Sequence, residues 1–276
     1  MDRIRLIASD MDATLLDEQS QLPADFEETI HALAELGIRF APASGRPLYT
    51  LEAMFPTLQD ELVFIGDNGG AIRWKGQNLF TSEMSPEGWR ALNRLTREQG
   101  DIAVLCGLES AYVERPFAVH DAVLRHFYTK IEYVDRLEDV TAPADKFTIY
   151  LPQHNAQQAY DTVYASQRSI YSVAVAGECW VDIMNPGVHK GAALQTLGQL
   201  WGLPSESIMA FGDTYNDAEM LQTVRYGFLM ENGSKPLRQK VPFLAPSHRE
   251  AGVMQVLHRV LTQNGCVCPE DFIPAH

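Results

Sequence analysis

Two pairs of aspartates each follow a short apolar run that has the length of a buried strand. They are Asp10 with Asp12 near the start of the chain, and Asp213 with Asp217 much later. Carboxylates that meet without a cation repel one another and shift one another's pKa. A divalent metal with oxygen ligands resolves this, and Mg²⁺ typically takes one or two carboxylates, waters and a substrate phosphate. The two pairs therefore predict a Mg²⁺ site if the fold brings them together.

The first pair also has the residue types for covalent phosphoryl transfer. Asp10 suits a nucleophile that attacks phosphorus to give an aspartyl phosphate. Asp12, two residues on in a tight loop, is placed to protonate the leaving oxygen and later to deprotonate water.

Phosphate binding is predicted at two further places. Ser44, with the backbone N–H groups of Gly45 and Arg46, offers a cradle for an anion at the start of a helix. Lys190 supplies a positive charge for the transferred phosphoryl oxygens, which need electrostatic stabilisation more than covalent help.

The elements that must position these residues alternate between strand-like and helix-like patterns over residues 1–83 and again over 188–276. Repeated strand–helix alternation predicts an α/β fold with a Rossmann-like, doubly wound parallel sheet. Ligands bind at the carboxyl ends of such strands, so all the candidates would meet at one edge. Residues 84–187 have their own α/β pattern and are predicted to form an inserted domain. Pro42 weakens the prediction of the strand over 38–43, and Pro23 suits the first turn of a helix.

The chain resembles the haloacid dehalogenase superfamily in four motifs. Residues 10–16 (DMDATLL) resemble its first motif, D-x-D-x-T-L; Ser44-Gly45-Arg46 resembles the second, Lys190 the third, and residues 212–217 (GDTYND) the fourth, G-D-x-x-N-D. The S-G-R form, the glycine after the lysine and the insert between motifs two and three resemble the Cof-type phosphatases. The resemblance implies a catalytic core over 1–83 and 188–276, and an α/β cap over 84–187 that closes over the core and selects the substrate.

The resemblance also implies a role for each matching residue. Asp10 would be the nucleophile and Asp12 the acid/base. The implied Mg²⁺ ligands are Asp10, Asp12 through its backbone carbonyl, Asp213, and Asp217 as a ligand or as support. The implied phosphate and substrate contacts are Ser44, Gly45, Arg46, Lys190 and Asn216, with Asn68 a further candidate.

Two departures from the family pattern stand out. Ala13 occupies a position where the family usually has glycine, which adopts any φ, so its chemistry is expected to be slower but of the same kind. Residues 230–233 (MENG) match the family's M-x-N-A only loosely, which leaves the role of Asn232 open.

Several functions stay open at this point. The first expectation is a phosphatase for a small phosphorylated metabolite, with a sugar phosphate favoured over pyridoxal phosphate or flavin mononucleotide. A phosphomutase is the alternative with related chemistry. A phosphoacceptor module or a non-catalytic phosphate-binding protein would be different in class.

Composition and net charge limit the classes of partner that this protein is expected to bind. The 276 residues include 22 Lys and Arg against 36 Asp and Glu, which gives a formal net charge of −14. With no Lys/Arg-rich run, nucleic acid and anionic membranes are not expected as partners. The start of the chain does not resemble a signal peptide, and four cysteines in a chain of this length are expected to be reduced in a cytoplasm. The oligomeric state is left open.

Overall fold

The computed structural model describes all 276 residues, which form two compact units. The first comprises Met1–Gly45, Phe55–Leu79 and His189–His276, and the second comprises Arg46–Met54 and Phe80–Val188. The assignment of a catalytic core to 1–83 and 188–276, and of a specificity cap to 84–187, stays a prediction.

The chain contains seventeen strands and eight α-helices. The strands are β1 Asp2–Arg3, β2 Leu6–Asp10, β3 Arg39–Ala43, β4 Val63–Gly66, β5 Ala71–Trp74, β6 Gln77–Thr81, β7 Ile102–Gly107, β8 Ala111–Glu114, β9 Ile131–Val134, β10 Ala144–Tyr150, β11 Ser172–Val175, β12 Trp180–Met184, β13 Ile208–Gly212, β14 Tyr226–Met230, β15 Phe243–Ala245, β16 Cys266–Val267 and β17 Ile273–Pro274. The helices are α1 Phe26–Glu35, α2 Leu48–Ala53, α3 Pro86–Gln99, α4 Asp121–Phe127, α5 Ala156–Thr162, α6 Lys190–Trp201, α7 Ala218–Thr223 and α8 Gly252–Thr262. None of these helices is both long enough and apolar enough to cross a membrane.

The first unit is organised around a nine-stranded sheet in the order β17-β15-β14-β13-β2-β3-β4-β5-β6. The six strands from β15 to β4 run parallel, while β17 and β5 pair antiparallel at its flanks. Every residue of β2, β13 and β14 is buried, as expected for parallel strands covered on both faces. Since β2 lies between β13 and β3, the carboxyl ends that carry the candidate residues are neighbours at one edge.

Pro42 lies inside this sheet, although proline is usually confined to sheet edges. The register of β3 with β4 contains a single pair, Ala43 with Ile65, next to this proline. With β2 the strand is paired over its whole length. The strand is therefore present as predicted, with its pairing concentrated on the β2 side.

Helix α1 begins later than its sequence suggests. Pro23 is not in its first turn; instead the N–H of Phe26 donates to the carbonyl of Pro23 (3.0 Å), and the helix starts there. The segment before it is a turn rather than a helix, so the prediction that placed Pro23 in the helix is wrong by three residues.

The second unit contains a six-stranded sheet in the order β11-β12-β10-β7-β8-β9. Its pairs are antiparallel except β8 with β9. Alternate residues of β10 separate its two faces: Phe147 and Ile149 pack in one core with residues of α3 and α5, whereas Tyr150 packs with Trp180 in the other. Lys146 and Thr148 lie on the same face as Tyr150 because strand side chains alternate.

Candidate active site

The loop after β2 carries the first acid pair. Asp10 ends the strand and its side chain is 11% exposed, whereas Asp12 is exposed. The chain then makes a tight turn in which the N–H of Leu16 donates to the carbonyl of Met11 (2.9 Å). Ala13 has φ +58°, in the left-handed region, so the position where the family favours glycine does require a positive φ. An L-residue there costs about 1–2 kcal/mol.

Lys190 is the first residue of α6, and its side chain is fully buried. Its Nζ donates to Oδ1 of Asp10 (2.5 Å) and to Oδ1 of Asp217 (2.7 Å). His189 precedes it as the helix N-cap, since its Nδ1 accepts a hydrogen bond from the N–H of Ala192 (3.1 Å). This cap was not anticipated from the sequence because histidine is not a preferred N-cap residue. Capping thus fixes the start of the helix that carries the lysine.

The loop after β13 holds Asp217 from both sides. Its Oδ2 accepts hydrogen bonds from the N–H groups of Asp213 (3.0 Å) and Thr214 (3.2 Å), while its Oδ1 faces Lys190. Gly212 makes this arrangement possible, because a Cβ there would lie 2.4 Å from the Cβ of Asp217. Asp217 therefore positions both Lys190 and the loop that carries Asp213.

Three carboxylates come together here: ligand atoms of Asp10, Asp213 and Asp217 lie within 4.8 Å of one another. Burial, followed by the charge of Asp217, raises the pKa of Asp10 to about 7 even though Lys190 opposes the change. Burial, followed by the charges of Asp10 and Asp217, raises the pKa of Asp213 to about 8. For Lys190, burial alone would lower the pKa, but the two aspartates outweigh it and hold the pKa above its ordinary value.

This cluster fits a divalent cation. With all groups ionised, three carboxylates face one buried ammonium, which leaves two uncompensated negative charges. The donors are carboxylate oxygens, the ligands that Mg²⁺ prefers. Burial and the neighbouring carboxylates raise the pKa of Asp10 and Asp213, so a cation bound there would favour their ionised forms. The residues present therefore suit the metal that the sequence predicts.

Ser44 and Gly45 lie directly beyond the carboxyl end of β3. The backbone carbonyl of Ser44 accepts from the N–H of Asn68 (2.9 Å), and the Asn68 side chain would lie 3.2 Å from a Cβ at Gly45. Asn68 itself has φ +54° within a turn of left-handed residues. Arg46 begins the segment 46–54, which belongs to the second unit.

Asn216 lies in the loop of the second acid pair, and its Oδ1 accepts from the hydroxyl of Thr214 (3.1 Å). The side-chain amide of Asn216 is therefore oriented by a residue of its own loop. Its predicted role at the phosphate stays a prediction.

Asn232 has contacts that the sequence left open. Its Nδ2 donates to the carbonyl of Ala13 (2.8 Å), and its Oδ1 accepts from the N–H of His248 (3.0 Å). The residue thus ties the loop of the first acid pair to a turn more than two hundred residues later. The loose M-x-N-A match was the only signal that could have located it.

The chain is similar to known proteins of one family. Residues 7–257 match the model of the haloacid dehalogenase-like hydrolases. The chain belongs to this family. It is 31% identical over 262 residues to the 5-amino-6-(5-phospho-D-ribitylamino)uracil phosphatase of Escherichia coli K12, which covers 94% of this chain and 96% of the relative.

Two further proteins show the same similarity. The HMP-PP phosphatase of Cronobacter sakazakii is 31% identical over 249 residues, covering 87% of this chain and 89% of the relative. The crystal structure of a Streptococcus mutans UA159 protein superposes with a TM-score of 0.83 at 28% identity, covering 94% and 99% of the two chains. These findings confirm the predicted superfamily, its Cof type, the α/β Rossmann-like fold and the enzyme class, a phosphoric monoester hydrolase.

Proposed function

We propose that this haloacid dehalogenase-like hydrolase is a Mg²⁺-dependent phosphatase that hydrolyses a small phosphorylated metabolite through an aspartyl phosphate on Asp10. One observation carries the proposal: Asp10 ends a central strand with Lys190 Nζ 2.5 Å from its Oδ1 and with Asp213 and Asp217 beside it. A lysine so placed favours the ionised, nucleophilic form of Asp10 against the effect of burial.

The reaction would take two steps. A carboxylate oxygen of Asp10 forms a bond to phosphorus while the bond to the leaving oxygen breaks, and Asp12 donates a proton to that oxygen. Asp12 then accepts a proton from a water that attacks the aspartyl phosphate, which releases inorganic phosphate and restores the Asp10 carboxylate. Asp12 is exposed and Asp10 is buried, a difference that suits one residue to exchange protons and the other to form the covalent bond.

The remaining site residues would bind charge. Asp10, Asp213 and the backbone carbonyl of Asp12 would hold Mg²⁺, with Asp217 as a further ligand or as support. The metal when bound would neutralise the negative charge around the substrate phosphate. Lys190 offsets charge on the transferred oxygens.

Phosphate binding completes the proposed set of roles. The phosphate would be oriented by Ser44, Gly45, Arg46 and Asn216. The backbone of Ser44 and Gly45 is held by the turn that contains Asn68.

The substrate we favour is a phosphorylated sugar or sugar alcohol. The relative from Escherichia coli acts on a compound whose phosphate is carried by a ribityl chain, and the one from Cronobacter sakazakii is named for HMP-PP. Similarity to these two proteins supports a small phosphorylated metabolite. Because the Escherichia coli relative is named for a ribityl phosphate, we test phosphorylated polyols first.

The test is phosphate release from a panel of compounds with and without Mg²⁺. The panel contains sugar phosphates, 5-amino-6-(5-phospho-D-ribitylamino)uracil, flavin mononucleotide and pyridoxal phosphate. Asp10→Asn is expected to abolish turnover, while the exposed Asp60→Asn serves as a matched control with full activity. An isomeric phosphate in place of free phosphate would indicate a mutase and overturn the proposal, as would full activity of Asp10→Asn.

A further inference from the structure

We propose that Asn232 is a positioning residue that holds the acid/base loop, residues 12–13, in its working conformation. This inference rests on the proposed function, because it acts through the role given there to Asp12. It assigns Asn232 a task that its loose match to the family pattern left open.

The contact is specific to the loop of the first acid pair. Asn232 Nδ2 donates to the carbonyl of Ala13 at 2.8 Å, and this carbonyl belongs to the residue directly after Asp12. Because Ala13 has φ +58°, its backbone is held in a conformation that an alanine populates poorly on its own. A hydrogen bond to its carbonyl stabilises that conformation and with it the direction of Asp12.

The other end of Asn232 is anchored in a rigid turn. Its Oδ1 accepts from the N–H of His248 (3.0 Å), so both ends of the amide are used and its orientation is fixed. The turn itself is tightly packed, since a Cβ at Gly252 would lie 1.9 Å from the carbonyl oxygen of Pro246. A rigid support of this kind can hold a catalytic loop in place.

A second link joins the same turn to Glu18, which follows the acid/base loop in the chain, and reaches no catalytic group. Arg249 Nη2 lies 2.7 Å from Oε1 of Glu18, with both side chains more than half exposed. An exposed ion pair of this kind contributes little to stability. Arg249 therefore provides a matched control that removes a contact of the turn without touching Ala13.

The role differs from a purely structural one in what it changes. Asn232 is exposed, so its replacement leaves no cavity in the core. A misplaced general acid/base slows the chemistry of both steps, whereas phosphate binding by Ser44 and Lys190 is left as it was. The expected signature is a lower kcat with an unchanged KM and a nearly unchanged melting temperature.

The experiment compares Asn232→Asp and Arg249→Gln with the wild-type enzyme in the presence of Mg²⁺, using p-nitrophenyl phosphate as the probe. The Asn232→Asp side chain keeps an oxygen for the His248 N–H but loses the donor to Ala13. We expect kcat to fall by roughly 10- to 100-fold, the scale on which small misplacements act, with KM within about twofold. Arg249→Gln is expected to keep the wild-type kcat.

The pH profile provides a second readout. Misplacement of Asp12 changes the pH dependence of kcat, which a general loss of folded protein would not do. A wild-type kcat for Asn232→Asp, or a loss that only follows the fraction unfolded, overturns the inference. Failure of the proposed function looks different: the wild-type enzyme then hydrolyses no phosphomonoester, or Asp10→Asn stays active.

Discussion

The excess negative charge of the aspartate cluster predicts that Mg²⁺ stabilises the protein in a strongly pH-dependent way. Asp10 has its pKa raised from 3.8 to about 7, and Asp213 from 3.8 to about 8. A carboxyl group with a raised pKa in the folded state stabilises the fold when protonated. That stabilisation is complete below pH 3.8 and is lost as the pH rises through the folded-state values of about 7 and about 8.

The size of the effect follows from these values. For Asp10, the difference between 3.8 and about 7, taken at about 1.4 kcal/mol per pH unit, corresponds to about 4 kcal/mol. Asp213 is partly exposed, so solvent screening reduces its contribution to the order of 2 kcal/mol. At about 2 °C per kcal/mol for a chain of this size, these groups lower the melting temperature of the metal-free protein by the order of 10 °C between acid and alkaline pH.

The assay is thermal unfolding at about pH 5 and about pH 9, with EDTA or with Mg²⁺, for the wild type and Asp213→Asn. Mg²⁺ binds the ionised carboxylates, so we expect its stabilising effect to be small at acid pH and large at alkaline pH. Asp213→Asn removes one of the groups, so without metal it should be more stable than the wild type at alkaline pH and similar to it at acid pH. If the melting temperature at alkaline pH does not depend on metal, or if Asp213→Asn is destabilised without metal, excess negative charge does not limit the stability of this cluster.

Three further predictions follow from local geometry. Ala13→Gly removes the strain of a left-handed alanine, while the entropy of glycine in the unfolded chain opposes the gain. We expect the free energy of unfolding, measured by chemical denaturation, to rise by about 1 kcal/mol. A destabilised variant would show that Ala13 is not strained. Gly212→Ala places a Cβ 2.4 Å from that of Asp217, so phosphatase activity and Mg²⁺ stabilisation should both be lost, and retention of either would contradict the close packing. His189→Ala removes the cap of α6 and should cost about 1 kcal/mol, whereas His189→Asn should restore most of it, and equal stability of the two variants would rule out the capping role.

The parts of the fold that the sequence predicts are those determined locally. Short apolar runs ending in polar residues identify β2 and β13, and the fact that parallel strands share one edge predicts that Asp10 and Asp213 meet. These signals need no knowledge of distant partners.

The sequence did not predict one long-range contact and the residue at which one helix begins. The hydrogen bond from Asn232 to the carbonyl of Ala13 joins residues 219 positions apart. Neither residue type indicates such a contact in the sequence. The strand through Pro42 was predicted although proline disfavours it, and it is present because β2 pairs with it along its length. Helix α1 starts late because the carbonyl of Pro23 accepts a hydrogen bond within the turn that precedes the helix. The sequence alone does not distinguish such a turn from the first turn of a helix.

Rapid quenching of the reaction shows whether Asp10 becomes phosphorylated. The enzyme is mixed with Mg²⁺ and a ³²P-labelled phosphomonoester that it hydrolyses, quenched in acid, and the labelled peptide is mapped. We predict acid-stable, alkali-labile label on the peptide that contains Asp10, and none on the Asp10→Asn variant. Label on another residue would contradict this prediction. The Asp12→Asn variant, in which the second step is slowed, provides the second test: turnover without any labelled protein under single-turnover conditions would also contradict it.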